Sequence, residues 1–164
     1  MSYVTATTLL NQFSADEIAQ RADRGIPRLV SAEMLTTAAA GGDMSGYTAD
    51  EQAAATAALA LIDGKLMDAD SVIDGDLLSR FTTPLASVPR LVVGIACDLT
   101  RYALYDDIAT EQITQRYKDA IKMLEAIGSG KVGLGISPAG GKPASSGSAY
   151  IGSSGSVFSR EGRL

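Results

Sequence analysis

Histidine is absent from this 164-residue sequence, and tryptophan is absent as well. Without histidine the chain lacks the usual general base and the commonest neutral metal ligand. A Ser-His-Asp or Cys-His nucleophile is therefore impossible within it, and so is a zinc site of the Cys/His type. These absences weigh against an enzyme, and we expect no catalytic residue, no metal and no cofactor.

Cysteine and long apolar runs are equally scarce. The single cysteine, Cys97, excludes an internal disulfide framework and suits a reducing cytosol. Because it lies beside the apolar positions of a predicted helix, we predict a buried core thiol. The longest apolar run, Leu91–Cys97, has seven residues, far fewer than the roughly 20 that a membrane span requires. Residues 1–12 hold no Lys or Arg, so we expect no leader, no membrane partner and a soluble protein.

Charge is distributed unevenly along the chain. Residues 1–127 carry ten basic and eighteen acidic side chains, a net charge of −8. Residues 128–164 carry four basic side chains and one acidic, a net charge of +3. An acidic body disfavours a nucleic-acid-binding protein, which needs clustered Lys and Arg. The basic tail suits an acidic neighbour.

The body has the patterns of helices with polar caps. Capping boxes are predicted at Ser14–Glu17 and Thr48–Glu51, and Thr5, Ser31 and Thr110 are further cap candidates. Apolar residues recur at three- and four-residue steps. They predict short helices to about residues 13, 24 and 40 and long helices over about 48–81, 89–106 and 111–127. The fold class is therefore all-α: a small bundle of three long helices with short N-terminal helices, forming one body over residues 1–127.

Three glycines carry more specific predictions. Gly64 and Gly75 each cost about 1 kcal/mol inside a helix, which indicates a kink or a close helix crossing there. Gly128 is expected to end the last helix with a left-handed turn.

The composition changes at Gly128. Of the 29 residues from 128 to 156, nine are Gly and eight are Ser. Such a segment cannot bury enough apolar area to offset its backbone entropy, so residues 128–164 are predicted to form a flexible, extended C-terminal arm. Its end carries Val157, Phe158 and Arg160, an apolar pair with a cation. We predict that these three residues bind a partner.

Two motifs suggest chemistry. Residues 128–133 match the dinucleotide pattern G-x-G-x-x-G, but that motif functions between a strand and a helix, whereas here a helix precedes it. Five aspartates form an acidic cluster at positions 63, 68, 70, 74 and 76. A solvated helix face is the simplest interpretation. Two-carboxylate hydrolysis stays open, because the helix register brings Asp70 and Asp74 together.

Six stretches of the sequence have a recognisable pattern: Tyr3–Phe13, Ala69–Phe81 with its following prolines, Cys97–Tyr105, Arg116–Leu124, Gly130–Gly135 and Val157–Arg160. In these stretches the chain resembles the neck-protein family of Mu-like phages, whose members are head–tail connectors. Residues 36–47 depart from it as an Ala/Gly-rich insertion.

The resemblance implies an adaptor in the virion neck. It would be made in the host cytoplasm and form a homo-oligomeric, commonly dodecameric, ring between the portal protein and a tail-side neck protein. The arm would dock on the portal or a neighbouring subunit, and genomic DNA would pass through the lumen without specific binding. The alternative is a helical adaptor or regulatory protein outside a virion that binds its partner through the C-terminal tail.

Overall fold

The computed structural model describes residues 2–136, and within them the only regular secondary structure is helical. The order is α1 (Ala6–Gln12), α2 (Ala15–Ala22), α3 (Ala32–Ala39), α4 (Ala49–Leu77), α5 (Arg90–Tyr105), a 3₁₀ turn (Asp106–Ile108) and α6 (Glu111–Gly128). The prediction of three long helices behind short N-terminal ones is confirmed. The part of the predicted arm beyond residue 136 lies outside the described residues.

Polar side chains start most of these helices. Those of Thr5, Ser31, Thr48 and Thr110 each accept a hydrogen bond from the backbone N–H three residues further on. At Thr48 the Glu51 carboxylate also accepts from the cap N–H at 2.8 Å, which completes the predicted capping box. The box predicted at Ser14 is wrong, because Ser14 makes no capping hydrogen bond. Its intended partner, Glu17, binds Arg101 instead.

Helix α4 is the axis around which the body is built. Helices α5 and α6 pack against it and against each other, whereas α1, α2 and α3 also pack on α4 and α2 reaches α5. The apolar stripes predicted from the sequence face inward: fully buried side chains include Ile62 and Ile73 of α4, Val92 of α5 and Leu124 of α6. Each such side chain contributes about 1.5–3 kcal/mol through burial.

Cys97 belongs to this core, as predicted, with no exposed surface. Burial, helped by the neighbouring Asp98 carboxylate, raises the pKa of its thiol to about 11. The thiolate that would react is therefore disfavoured at neutral pH.

The surroundings of the three glycines test the predicted close helix crossings and the predicted helix end. A Cβ added at Gly64 or Gly75 would meet nothing within 4 Å, so neither residue marks a close helix crossing. The close approach is at Gly128, where a Cβ would lie 2.6 Å from the carbonyl oxygen of Asp76. Helix α6 does end at Gly128, as predicted, but the left-handed residue is Gly130, with φ of +83°. Glycine at 128 thus lets the ends of α4 and α6 touch.

The first residues assigned to the arm still pack on the body. Leu134 is buried in the hydrophobic core, and Val132 and Ile136 lie against it. Arg80 donates from Nη1 to the carbonyl oxygen of Ile127 at 2.8 Å, which holds the end of α6 against the chain after α4. Core packing therefore continues at least to Leu134, past the predicted boundary at residue 127.

Candidate interaction surfaces

The predicted partner-binding residues Val157, Phe158 and Arg160 lie outside the described residues. Within residues 2–136, no three His, Cys, Asp or Glu side chains are grouped closely enough to hold a metal ion. None of the helices in that part of the chain is long and apolar enough to cross a membrane.

Tyr3 connects two of the clustered aspartates to the chain after α4. Its backbone N–H donates to Asp70 Oδ1 at 3.2 Å, and its hydroxyl donates to Asp74. The same hydroxyl oxygen accepts from the N–H of Leu85 at 3.1 Å. Burial, reinforced by the hydrogen bond to Asp74, raises the pKa of Tyr3 to about 12. Asp70 and Asp74 do lie together as predicted, and both are engaged in holding the N-terminus on α4.

A second network joins the N-terminal helices to α5. Arg101 forms a two-pronged pair with Glu17, from Nε to Oε1 at 2.6 Å and from Nη2 to Oε2 at 2.9 Å. The Tyr105 hydroxyl donates to the same Glu17 carboxylate at 2.8 Å. Burial alone would lower the pKa of Arg101, but the hydrogen bond to Glu17 and the charge of Glu17, together with Tyr105, raise it above its ordinary value. Such planar, bidentate pairs are the stronger class of ion pair.

The ring of Phe13 lies within reach of two guanidinium groups. Arg101 lies 4.5 Å and Arg116 6.0 Å from its centroid, distances at which cation–π attraction acts. Arg116 also approaches Asp98 at 3.8 Å, although burial raises the pKa of Asp98. Three stretches that carry the family resemblance thus meet at one place: those that contain Phe13, Arg101 with Tyr105, and Arg116. Their role there is to hold the bundle together.

The loop between α2 and α3 exposes the side chain of Ile26 and is held in place by hydrogen bonds to Asp23. Asp23 is 4% exposed, and its carboxylate accepts from the backbone N–H groups of Gly25, Leu29 and Val30 at 2.7–2.9 Å. Burial alone would raise the pKa of Asp23, but these three donors lower it below its ordinary value. Ile26, at the outer end of the loop, is 100% exposed.

The exposed position of Ile26 was not predicted from the sequence. The local signal was an isoleucine between two turn-forming residues, Gly25 and Pro27, in the segment that follows α2. Arg24 and Arg28 flank it. Arg24 is anchored by Asp106 Oδ2 at 2.7 Å and by the carbonyl oxygen of Leu104. An exposed isoleucine held this firmly is suited to insertion into a partner.

A groove of about 390 Å³ runs between α4, α5 and α6, next to the 3₁₀ turn. We call it the acidic groove. Its apolar wall includes Val72, Leu99 and the stacked rings of Tyr102 and Tyr117, whose centroids are 4.1 Å apart. Its polar lining consists of Lys65, Asp68, Asp106 and Asp107. The two tyrosine rings pack against each other and form part of the groove.

Two further grooves differ in character. One, of about 400 Å³, lies between α5 and α6 and carries two arginines and two aspartates around the exposed Leu91 and Met123. The other, of about 420 Å³, lies between α1, α3 and α4, beside the exposed Met67. Apolar side chains are therefore exposed on several separate faces of the body.

Comparison with known proteins gives a consistent result. The model of the family described as "Bacteriophage Mu, Gp36" matches residues 3–152. The Mu-like prophage FluMu protein gp36 of Haemophilus influenzae is 38% identical over 95 residues, or 58% of this chain and 67% of that protein. Gene product J of Escherichia phage Mu is 38% identical over 77 residues, or 47% of this chain and 55% of that protein. The matched segments thus cover between about half and two thirds of these relatives.

Proposed function

Because the chain belongs to the Bacteriophage Mu Gp36 family, we propose that it is a structural virion protein, a head–tail connector. In this role it forms a ring in the phage neck between the portal and the tail-side proteins. It acts by binding other proteins and not by catalysis. It is made in the host cytoplasm and ends in the virion, and its C-terminal arm docks on the portal or on a neighbouring subunit.

The observation that carries the connector role is the Ile26 loop. A fully exposed isoleucine on a loop fixed by the buried Asp23 carboxylate is an unfavourable arrangement in an isolated protein, because its apolar surface stays in water. A subunit contact that covers it removes this cost. The grooves on other faces supply unlike surfaces, and head-to-tail contacts between unlike surfaces are the kind that close into rings.

The negative net charge of the body also supports the proposal that genomic DNA passes through the ring. The body carries net −8 over residues 1–127. A dodecameric ring of such bodies would repel the phosphate backbone if acidic faces line its lumen, since DNA binding requires clustered cations. Genomic DNA would then pass through without specific binding.

Deletion of the gene from a propagating phage tests the role. We expect heads that package DNA and tails that assemble, with few joined particles, and restoration of joining by the wild-type gene supplied in trans. Normal infectivity from a clean deletion would end the connector proposal. Absence of the protein from purified virions would instead favour an adaptor that acts outside the particle.

The Ile26 loop is tested in the same complementation assay. Ile26→Ser should leave the melting temperature of the purified body unchanged while lowering the yield of joined particles. The matched control is Ile108→Ser, at a position where the side chain is 63% exposed on the 3₁₀ turn. Equal yields from the two variants would remove Ile26 from the assembly interface.

A further inference from the structure

The acidic groove differs from the other grooves of the body in charge. Three aspartates and one lysine line it, whereas the groove between α5 and α6 has two arginines and two aspartates. Lys65 approaches Asp68 at 3.7 Å, and Arg24 holds Asp106. Within residues 2–136, Asp107 has neither an ion pair nor a hydrogen bond. The groove therefore offers an apolar wall with a carboxylate available at its rim.

The chain itself contains a segment with matching chemistry. Residues 137–164 carry three basic side chains and one acidic, and Val157 and Phe158 stand just before Arg160. An aromatic ring suits a wall that contains the stacked rings of Tyr102 and Tyr117. A guanidinium two residues after that ring can form a charge-assisted hydrogen bond to a carboxylate.

The distance also fits. On α6 the groove is at Tyr117, and the helix ends at Gly128, about 16 Å further along its axis. Residues 137–156 form a spacer of twenty residues, of which twelve are Gly or Ser. A chain of that composition and length has a root-mean-square span of about 25 Å. Because twenty residues can span up to about 66 Å when extended, the spacer is long enough for the tip to reach the groove of its own chain.

We propose that in the free subunit the C-terminal tip, residues 157–164, docks in the acidic groove of its own chain, with Phe158 against Val72 and Arg160 paired with Asp107. A short Gly/Ser-rich tether gives an effective concentration of about millimolar, so a tip of millimolar intrinsic affinity is docked in about half of the molecules. Own-chain docking covers the adhesive tip before assembly. The portal or a neighbouring subunit then has to displace only a weak contact.

The absence of tryptophan makes a direct test possible. Phe158→Trp places a single indole at the tip of the full-length protein. If the tip is docked, its emission lies at shorter wavelength than that of a synthetic peptide of residues 150–164 with the same substitution. Acrylamide quenching should fall by up to about twofold when half of the molecules are docked. Neither signal should depend on protein concentration.

Pairs of variants, one inside and one outside the acidic groove, test whether this groove is the docking site of the tip. In the Phe158→Trp background, Val72→Ser should return both signals toward the peptide values, whereas Met67→Ser, at an exposed position of the same helix, should not. Asp107→Asn should weaken docking, and Asp63→Asn, with the same change of charge outside the groove, should not.

Two results would overturn the proposal. The first is a tip with the emission and quenching of the peptide. The second is docking that grows with protein concentration, because the tip would then be bound to another copy. Both results leave the connector role untouched, since that role depends on the joining of heads to tails. A failed joining experiment would likewise leave own-chain docking intact.

Discussion

At the scale of single residues, Asp23 shows how one buried charge fixes a surface loop. Its carboxylate satisfies three backbone N–H groups that would otherwise lie unpaired beside the core. Asp23→Asn keeps the shape but loses the charge and turns an NH₂ group toward backbone donors. We expect unfolding free energy to fall by about 1.5–3 kcal/mol, the range for hydrogen bonds to charged groups. Chemical denaturation measures this loss, with the exposed Asp63→Asn as control.

The same residue predicts a response to acid. Because the hydrogen bonds lower the pKa of Asp23 in the folded state, its stabilisation is complete above the unfolded value of about 3.9 and is lost as the pH falls through the folded pKa. Denaturant titrations should show the wild-type protein losing stability below about pH 4. In Asp23→Asn this loss should be smaller. Parallel curves for the two proteins would show that Asp23 is not the responsible group.

Tyr3 predicts the opposite response in alkali. Its folded pKa is raised to about 12, so the folded state retains the phenolic proton after the unfolded state begins to lose it near pH 10. Stability therefore falls as the pH rises from about 10 to 12. Tyr3→Phe should lose about 1–2 kcal/mol at neutral pH, because Asp74 and the Leu85 N–H lose a buried partner. The substitution should also reduce the loss of stability between about pH 10 and 12. An unchanged loss would show that other tyrosines cause it.

At the scale of helices, three glycines differ in whether a neighbouring helix requires them. Gly64 and Gly75 only weaken α4, whereas Gly128 allows α4 and α6 to touch. Gly64→Ala and Gly75→Ala should each raise the unfolding free energy by about 0.5–1 kcal/mol, because an added Cβ meets nothing and alanine favours the helix. Gly128→Ala should lower it by about 1–3 kcal/mol, because the Cβ would collide with the Asp76 carbonyl and force the ends of α4 and α6 apart. Thermal melts of the three variants make the comparison. A stabilised Gly128→Ala protein would contradict this helix contact.

These helices also show what the sequence could and could not predict. The apolar stripes and the Thr48 capping box are local patterns, and they predicted the type and order of the elements correctly. The Ser14 box failed because Glu17 found Arg101, 84 residues away along the chain, and a bidentate charged pair is stronger than a capping hydrogen bond. The role of Gly128 was missed for the same reason: nothing near it in the sequence indicates Asp76. Both predictions failed because contacts between residues far apart in the sequence determine the structure at these positions.

At the scale of the whole molecule, the predicted partner-binding tip lies outside the described residues and stays a prediction, and no pattern in the sequence predicted the surfaces that could receive it. The apolar tip differs from the Gly/Ser-rich segment before it, so composition alone marks it. The acidic groove is assembled from three helices and the 3₁₀ turn, with Val72, Tyr102 and Tyr117 distributed over 46 residues of sequence. No local pattern joins them. Likewise, the exposure of Ile26 becomes visible only when the loop is folded around Asp23.

Removal of residues 157–164 compares the contribution of the tip to the stability of the body with its contribution to assembly. Half-occupied docking in the own-chain groove adds only about 0.4 kcal/mol to stability, since that is the free energy of doubling the folded population. The truncated body and Phe158→Ala should therefore melt almost as the full chain does. If the tip binds the portal or a neighbouring subunit in a neck ring, as proposed, burial of Phe158 is worth about 1.5–3 kcal/mol per subunit, and repetition around the ring multiplies the effect. Co-sedimentation with portal-bearing heads should then fall sharply for both variants. If truncation instead unfolds the body, the tip is part of the core, and a separate arm that binds partners is ruled out.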